Sequence, residues 1–225
     1  MIDTLNDNSL HDILRILGED PLSNIILIAD VTQLRDWCDV TYLRDSGEIN
    51  AVFAIYKDLS FTATAFWARN TGALSQIIEH NSELLKDQEF VAICTSDQLA
   101  MLKSVCEINE TIKERQMYCD CSVDLDVPDG PDPEKLSIEN AEELRELYRL
   151  SGTPAWTANA MELGPFYGIR DAKGVIISVA GVHFVTSFAA EIGNIATHPH
   201  WRRKGLAGRL PFRKTCPMST ATGSA

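Results

Sequence analysis

The stretch with the clearest chemical potential reads His198-Pro199-His200-Trp201-Arg202-Arg203-Lys204-Gly205-Leu206-Ala207-Gly208-Arg209-Leu210. Three consecutive cations stand directly before a segment in which positions 205, 207 and 208 are small. Small residues let backbone N–H groups approach an oxyanion closely. The unpaired N–H groups of a helix's first turn, at its positive dipole end, suit a phosphate or pyrophosphate. Arg202, Arg203 and Lys204 add attraction for the same anion. Two phosphate loops do not fit: the chain has neither GxxxxGK[ST] nor GxGxxG.

Charge singles out the same region. Of 225 residues, 20 are Lys or Arg and 32 are Asp or Glu, a net charge of −12. Glu191 is the last acid: residues 1–191 hold 14 basic and 32 acidic groups, and residues 192–225 hold six basic groups and none acidic. A strongly acidic body with one short cationic segment points to a local anion site. A pI near 4.8 argues against nucleic acid as a partner.

Composition narrows the class further. Hydrophobic content of 45% with 23% charged residues is ordinary for a folded protein. No run of about 18 apolar residues exists, so a membrane span is not expected, and the start lacks the pattern of a secretory signal. Six cysteines (38, 94, 106, 119, 121, 216) show no CxxC spacing. The expectation is therefore free thiols, no metal and a cytoplasmic protein.

The elements that would position the basic segment can be read from periodicity. Residues 9–18 have helical spacing, and Ile25 to Ala29 is an apolar run of unspecified type. Val40 to Arg44 and Ile49 to Lys57 flank Asp45-Ser46-Gly47-Glu48 as a hairpin. Phe61 to Ala68 reads as a third strand, 72–85 as a helix, 89–94 as a buried strand, 96–105 as a helix capped by Ser96, and 116–121 as a strand. Residues 122–135 hold three prolines, a glycine and five acids, which marks a linker. Beyond it come a helix over 137–150, capped by Asn140 with Glu143 in a capping box, a short helix at 157–163, and strands at 166–170, 175–185 and 190–197. The class is α/β in the α+β sense. The expected domains are 1–125, a linker at 126–135, and 136–225.

Arg202-x-x-Gly205-x-Ala207, the His-Pro before it and the AEIGNIAT strand together resemble the Gcn5-related N-acetyltransferases, most nearly their glycine N-acyltransferase-like branch. The resemblance covers residues 137–210 and implies an acyl-CoA N-acyltransferase fold. It implies acetyl-CoA as co-substrate and a small-molecule or peptide amine as acceptor, the amine attacking the thioester directly with no acyl-enzyme. Ile195, Ala196 and Thr197 would then bind the pantetheine arm by strand-like hydrogen bonds. The loop Arg202, Arg203, Lys204, Gly205, Leu206, Ala207 and Gly208 would hold the pyrophosphate, with the backbone N–H groups of 203–208 as donors. Glu191 falls where some family members carry a catalytic glutamate, and strand alternation would put 191, 193, 195 and 197 on one face. His183 is expected to be a core histidine, and His198 and His200 to belong to a turn.

The chain departs from that family after Leu210. Pro211 and Pro217 interrupt the helix, and residues 211–225 have neither helical nor strand periodicity. The expected domain is thus a truncated one, which leaves a non-catalytic CoA-binding or regulatory protein as the alternative. The first half presents Arg69-Asn70-Thr71-Gly72-Ala73-Leu74 after its third strand, a degenerate echo of the later loop. Two readings of this half stay open: a degenerate acetyltransferase-like lobe, or an unrelated α+β domain whose arginine and glycine coincide by chance.

Overall fold

Asn6 begins the first helix, α1 (Asp7–Leu17), by accepting the N–H groups of Asn8 and Ser9, while the Ser9 hydroxyl accepts the Asn6 N–H in return. This reciprocal cap satisfies three donors that the helix start would otherwise leave orphaned. The helix turns Ile13, Ile16 and Leu17 inward. The apolar run that follows is a second helix, α2 (Ile25–Val31), buried along nearly its whole length. A computed structural model describes residues 1–85, 89–119, 129–153 and 156–210. The chain divides into two units, Met1–Glu114 with Thr186–Phe188, and Arg115–Val185 with Ala189–Ala225.

In the first unit β1 (Ile2–Thr4), β2 (Cys38–Asp45), β3 (Glu48–Tyr56) and β4 (Thr62–Ala68) form an antiparallel meander. After β4 the chain enters α3 (Thr71–His80) and α4 (Ser82–Leu85), split at Asn81 where one helix was expected. It then adds β5 (Phe90–Ala92) parallel to β4 and continues into α5 (Ser96–Leu102). β5 is only half covered, with Val91 52% exposed, so the expected buried strand is an edge. Thr95, not Ser96, caps α5, in a box with Gln98. The core beneath this sheet joins Phe53, Phe66, Leu74, Ile77 and Leu102. Residues 116–119 form no strand, and 120–121 lie outside the described residues.

The second unit repeats the order of the first. β6 (Glu134–Leu136) is followed by α6 (Ala141–Ser151) and α7 (Ala160–Leu163), then by the meander β7 (Phe166–Arg170), β8 (Ile176–Val185) and β9 (Ala190–Thr197), then by α8 (Leu206–Arg209). β6 begins inside the expected linker, whose residues 126–128 lie outside the described residues, as does the tail 211–225. Glu143 does not complete a capping box. Its carboxylate accepts the Ile176 N–H and pairs with Arg170, tying α6 to the sheet, and Ser137 and Asn140 cap the preceding turn instead. Sheet and helices meet on both faces: Leu144, Leu147, Tyr148, Phe166, Val179 and Ala196 on one, Ile169, Ile177, Ala180, Leu206 and Leu210 on the other. A Cβ at Gly181 would stand 2.5 Å from the Phe166 ring, so only glycine lets β7 and β8 seat that ring.

Candidate functional site

β9 is the terminal strand of its sheet among the described residues, and it is not regular. Val179 pairs with Ala196 and Gly181 with Gly193, so Asn194 and Ile195 together oppose Ala180. This is a β-bulge, and Asn194 takes φ of 51° to make it. Burying the carbonyl of a bulge demands a donor. Tyr148 of α6 supplies it, its hydroxyl donating to the Asn194 oxygen at 2.6 Å. Burial pushes the Tyr148 phenol up, so it remains a neutral donor. The Trp156 ring stacks on Tyr148 at 4.9 Å.

The bulge corrects one expectation. Alternation does not carry from Gly193 to Ile195, so Glu191 and Gly193 do not share a face with Ile195 and Thr197 by simple parity. Ile195 is 43% exposed, whereas Ala196 is buried in the core with its carbonyl accepting the Ser178 hydroxyl. His198 donates its N–H to Ile177, which by alternation turns the backbone of Thr197 to the open edge. Of the three expected strand contacts, Ile195 and Thr197 therefore lie at the edge, and Ala196 faces inward.

Glu191 sits at the far end of β9, opposite Phe184. Its Oε2 lies 4.0 Å from Nδ1 of His183, the extra residue of a second bulge on β8. His183 is not the core residue that the apolar strand suggests. Its side chain is 42% exposed and rests on Gly193, where a Cβ would come within 3.2 Å of it. Packing against β9 holds the imidazole below the ordinary histidine range, hence neutral at pH 7.

Beyond Thr197 the chain makes one tight turn, Pro199–Trp201, started by His198, whose Nδ1 accepts the His200 N–H at 3.2 Å. Arg203 follows with φ of 64° and Gly205 with φ of 75°. A left-handed arginine costs about 1 kcal/mol, and such strain collects where function holds the backbone. Among the described residues, the backbone N–H groups of Arg203, Lys204, Gly205, Leu206 and Ala207 donate to no carbonyl. The Gly208 N–H differs from expectation, since it donates to Gly205 at 3.1 Å. Closing that turn removes it from the set of possible anion donors.

The side chains of the segment divide the same way. Arg202 is a strut: its guanidinium donates to the Thr197 carbonyl at 3.2 Å and to the Ser151 carbonyl, at the end of α6, at 3.0 Å. Arg209 donates to Pro131 at 2.8 Å. Lys204 lies 4.3 Å from the centre of the Trp201 ring, and Trp201 packs beside Leu206 and Leu210. Tyr148 and its hold on the bulge had no sequence signal beyond an aromatic at an inward helical position.

The first unit carries the counterpart of this arrangement with one amide donor and one strand carbonyl already used. Asn70 caps α3, its Oδ1 accepting the Ala73 N–H at 2.9 Å. Gln98 of α5 donates to the Phe66 carbonyl of β4 at 2.8 Å.

No helix among the described residues is long and apolar enough to cross a membrane. No protein-family model matches the chain, and no curated protein does. Solved structures do. A GCN5-related N-acetyltransferase from Kribbella flavida aligns at 16% identity over 83% of this chain and 77% of its own, TM-score 0.57. A GCN5-related N-acetyltransferase-like protein from Streptococcus suis aligns at 16% over 90% and 80%, TM-score 0.54. A tandem GNAT protein from the clavulanic acid biosynthesis pathway aligns at 15% over 93% and 82%, TM-score 0.53. With its two meanders each leading into a helix, the mixed α/β chain has the fold of the GCN5-related N-acetyltransferases.

Proposed function

We propose that the chain transfers an acetyl (acyl) group from acetyl-CoA to a primary amine by direct attack on the thioester. The observation that carries this reading is the run of five amides, Arg203 to Ala207, uncommitted among the described residues and following β9 after one turn. A diphosphate is a fitting acceptor for such a run, because each N–H offers partial positive charge without desolvating a side chain. Ile195 and the N–H of Thr197 at the open edge suit the pantetheine arm, the Thr197 carbonyl being held by Arg202, and Arg202 and Gly208 hold the loop's frame.

Acetyl-CoA brings the activated acyl group. The chain's own residues do the rest: a backbone N–H of β9 polarises the thioester carbonyl, and Glu191, with His183 beside it, accepts the proton that an ammonium must lose before it can attack. The acceptor is a small-molecule or peptide amine, in keeping with the resemblance to the glycine N-acyltransferase-like branch, and we assign the activity to the cytoplasm.

A non-catalytic CoA-binding role has one observation in its favour. α8 spans four residues and Leu210 is already extended, which gives the anion site little helix dipole. Isothermal titration with acetyl-CoA, followed by amine-dependent thiol release, separates these readings. Heat with thiol release supports transfer, heat without it supports binding alone, and no heat at high micromolar concentrations rejects both.

A further inference from the structure

We infer that Tyr148 is a positioning residue for the β9 bulge, fixing the backbone of Asn194 and Ile195 from behind the sheet. Three observations converge on it. The hydroxyl makes a 2.6 Å bond to the bulge carbonyl across 46 residues of sequence. The side chain is 2% exposed and clamped between the Leu144–Leu147 core and the stacked Trp156 ring, so the hydroxyl cannot swing away. The bulge itself is costly: Asn194 takes a left-handed φ, and its buried Nδ2 has no hydrogen-bond partner among the described residues.

An element that keeps a strained residue and a buried orphan amide needs a restraint from outside the strand. Without one, β9 could relax toward a regular ladder with β8, and a slip of one residue would exchange the faces of Ile195, Ala196 and Thr197. Ala196 would then leave the core, and the strand edge would present different groups to a ligand. Tyr148 opposes that slip because its hydroxyl reaches one carbonyl only. As far as catalysis is concerned the inference rests on the acyl-transfer reading above, but the restraint on the backbone does not.

The test uses Y148F in the full chain, which removes one oxygen and leaves the ring in place. The first readout is amide hydrogen exchange over residues 192–197. Loss of one buried hydrogen bond should speed exchange there roughly tenfold while peptides of α6 and β7 stay unchanged. The second readout is kinetic: kcat should fall roughly tenfold with KM for acetyl-CoA within about twofold, as expected when reacting groups are misplaced rather than unbound. L144A serves as the comparison, since it loosens the same core without touching the hydroxyl and should raise exchange across the unit.

Unchanged exchange over 192–197 in Y148F, or a rise spread evenly as in L144A, overturns the inference. A local rise in a protein whose parent shows no acetyl transfer upholds the restraint and rejects the acyl-transfer reading. The two failures are therefore distinct.

Discussion

Nδ1 of His183 lies 4.0 Å from Oε2 of Glu191, across neighbouring strands and beside the second bulge of the sheet. A neutral imidazole beside the carboxylate makes no salt bridge with it, so in the proposed reaction Glu191 is placed to take a proton from an approaching ammonium. E191Q keeps the shape and removes the basicity. We expect kcat/KM to fall about a hundredfold, within the range usual for a lost general base, while calorimetric affinity for acetyl-CoA is retained. Activity close to that of the parent would show the carboxylate to be structural.

The loop makes two opposite predictions at neighbouring positions. G205E puts a side chain and a negative charge into the amide run at a residue with φ of 75°, and should abolish acetyl-CoA binding. R203G keeps the amide and relieves a left-handed arginine, so binding should persist and stability should rise by about 1 kcal/mol. Calorimetry and thermal melts read both. Loss of affinity in R203G would mean that the guanidinium, not the backbone, meets the anion.

Arg202 heads the basic cluster yet spends its donors on Thr197 and Ser151. R202A should therefore lower stability by about 1 kcal/mol, given two exposed hydrogen bonds. R202K should not restore it, because an ammonium cannot span both carbonyls as a planar guanidinium does. Denaturant midpoints for the three proteins decide the matter; equal midpoints would return Arg202 to the role of a free cation.

Much of this arrangement was legible beforehand, and the parts that were not have a common cause. Alternating β-branched and aromatic residues announced β2 and β3 around their turn, and runs rich in apolar and β-branched residues announced β8 and β9. The loop was visible because small residues and cations are rare neighbours. The bulge was not, because an extra residue in a strand changes the pairing without changing the composition, and an asparagine is the only hint that Asn194 leaves. Arg202 misled for a similar reason: a cation that caps carbonyls and one that awaits a phosphate have the same letter. His183 misled because Val179 to Val185 is apolar on both sides of it, and the bulge that turns it outward is again a matter of register.

Asp30 gives a prediction about pH. It lies at the end of α2, 3% exposed, and burial raises its carboxyl to about 7 although the Cys38 thiol donates to it. The folded protein therefore binds a proton that the unfolded chain has released above its ordinary carboxylate value near 4. Stability from this group is fully present below about pH 4 and is lost as pH rises through about 7. D30N removes the titration. Its melting temperature should fall less than the parent's between pH 5 and 8, and should exceed it at pH 8 by an amount corresponding to about 2–4 kcal/mol. Parallel pH profiles for the two proteins would place a charged Asp30 in the native state.

The two units follow one order of elements, so topology alone offers two places for acetyl-CoA, and we expect only the second to be used. In the first unit the helix start after β4 already has its Ala73 N–H taken by Asn70, and the Phe66 carbonyl, on the strand edge that a ligand would use, is taken by Gln98. A ligand there would have to displace bonds it can at best replace, with no net gain. The second unit also has a strand carbonyl taken, that of Thr197 by Arg202, but among the described residues it leaves five consecutive amides, Arg203 to Ala207, uncommitted. Titration should thus give a stoichiometry near one per chain, and G205E alone should bring it to zero. N70A should leave stoichiometry at one while costing about 1 kcal/mol of stability through the lost cap. A stoichiometry of two, or residual binding in G205E, would mean that the first unit's self-made bonds yield to the ligand.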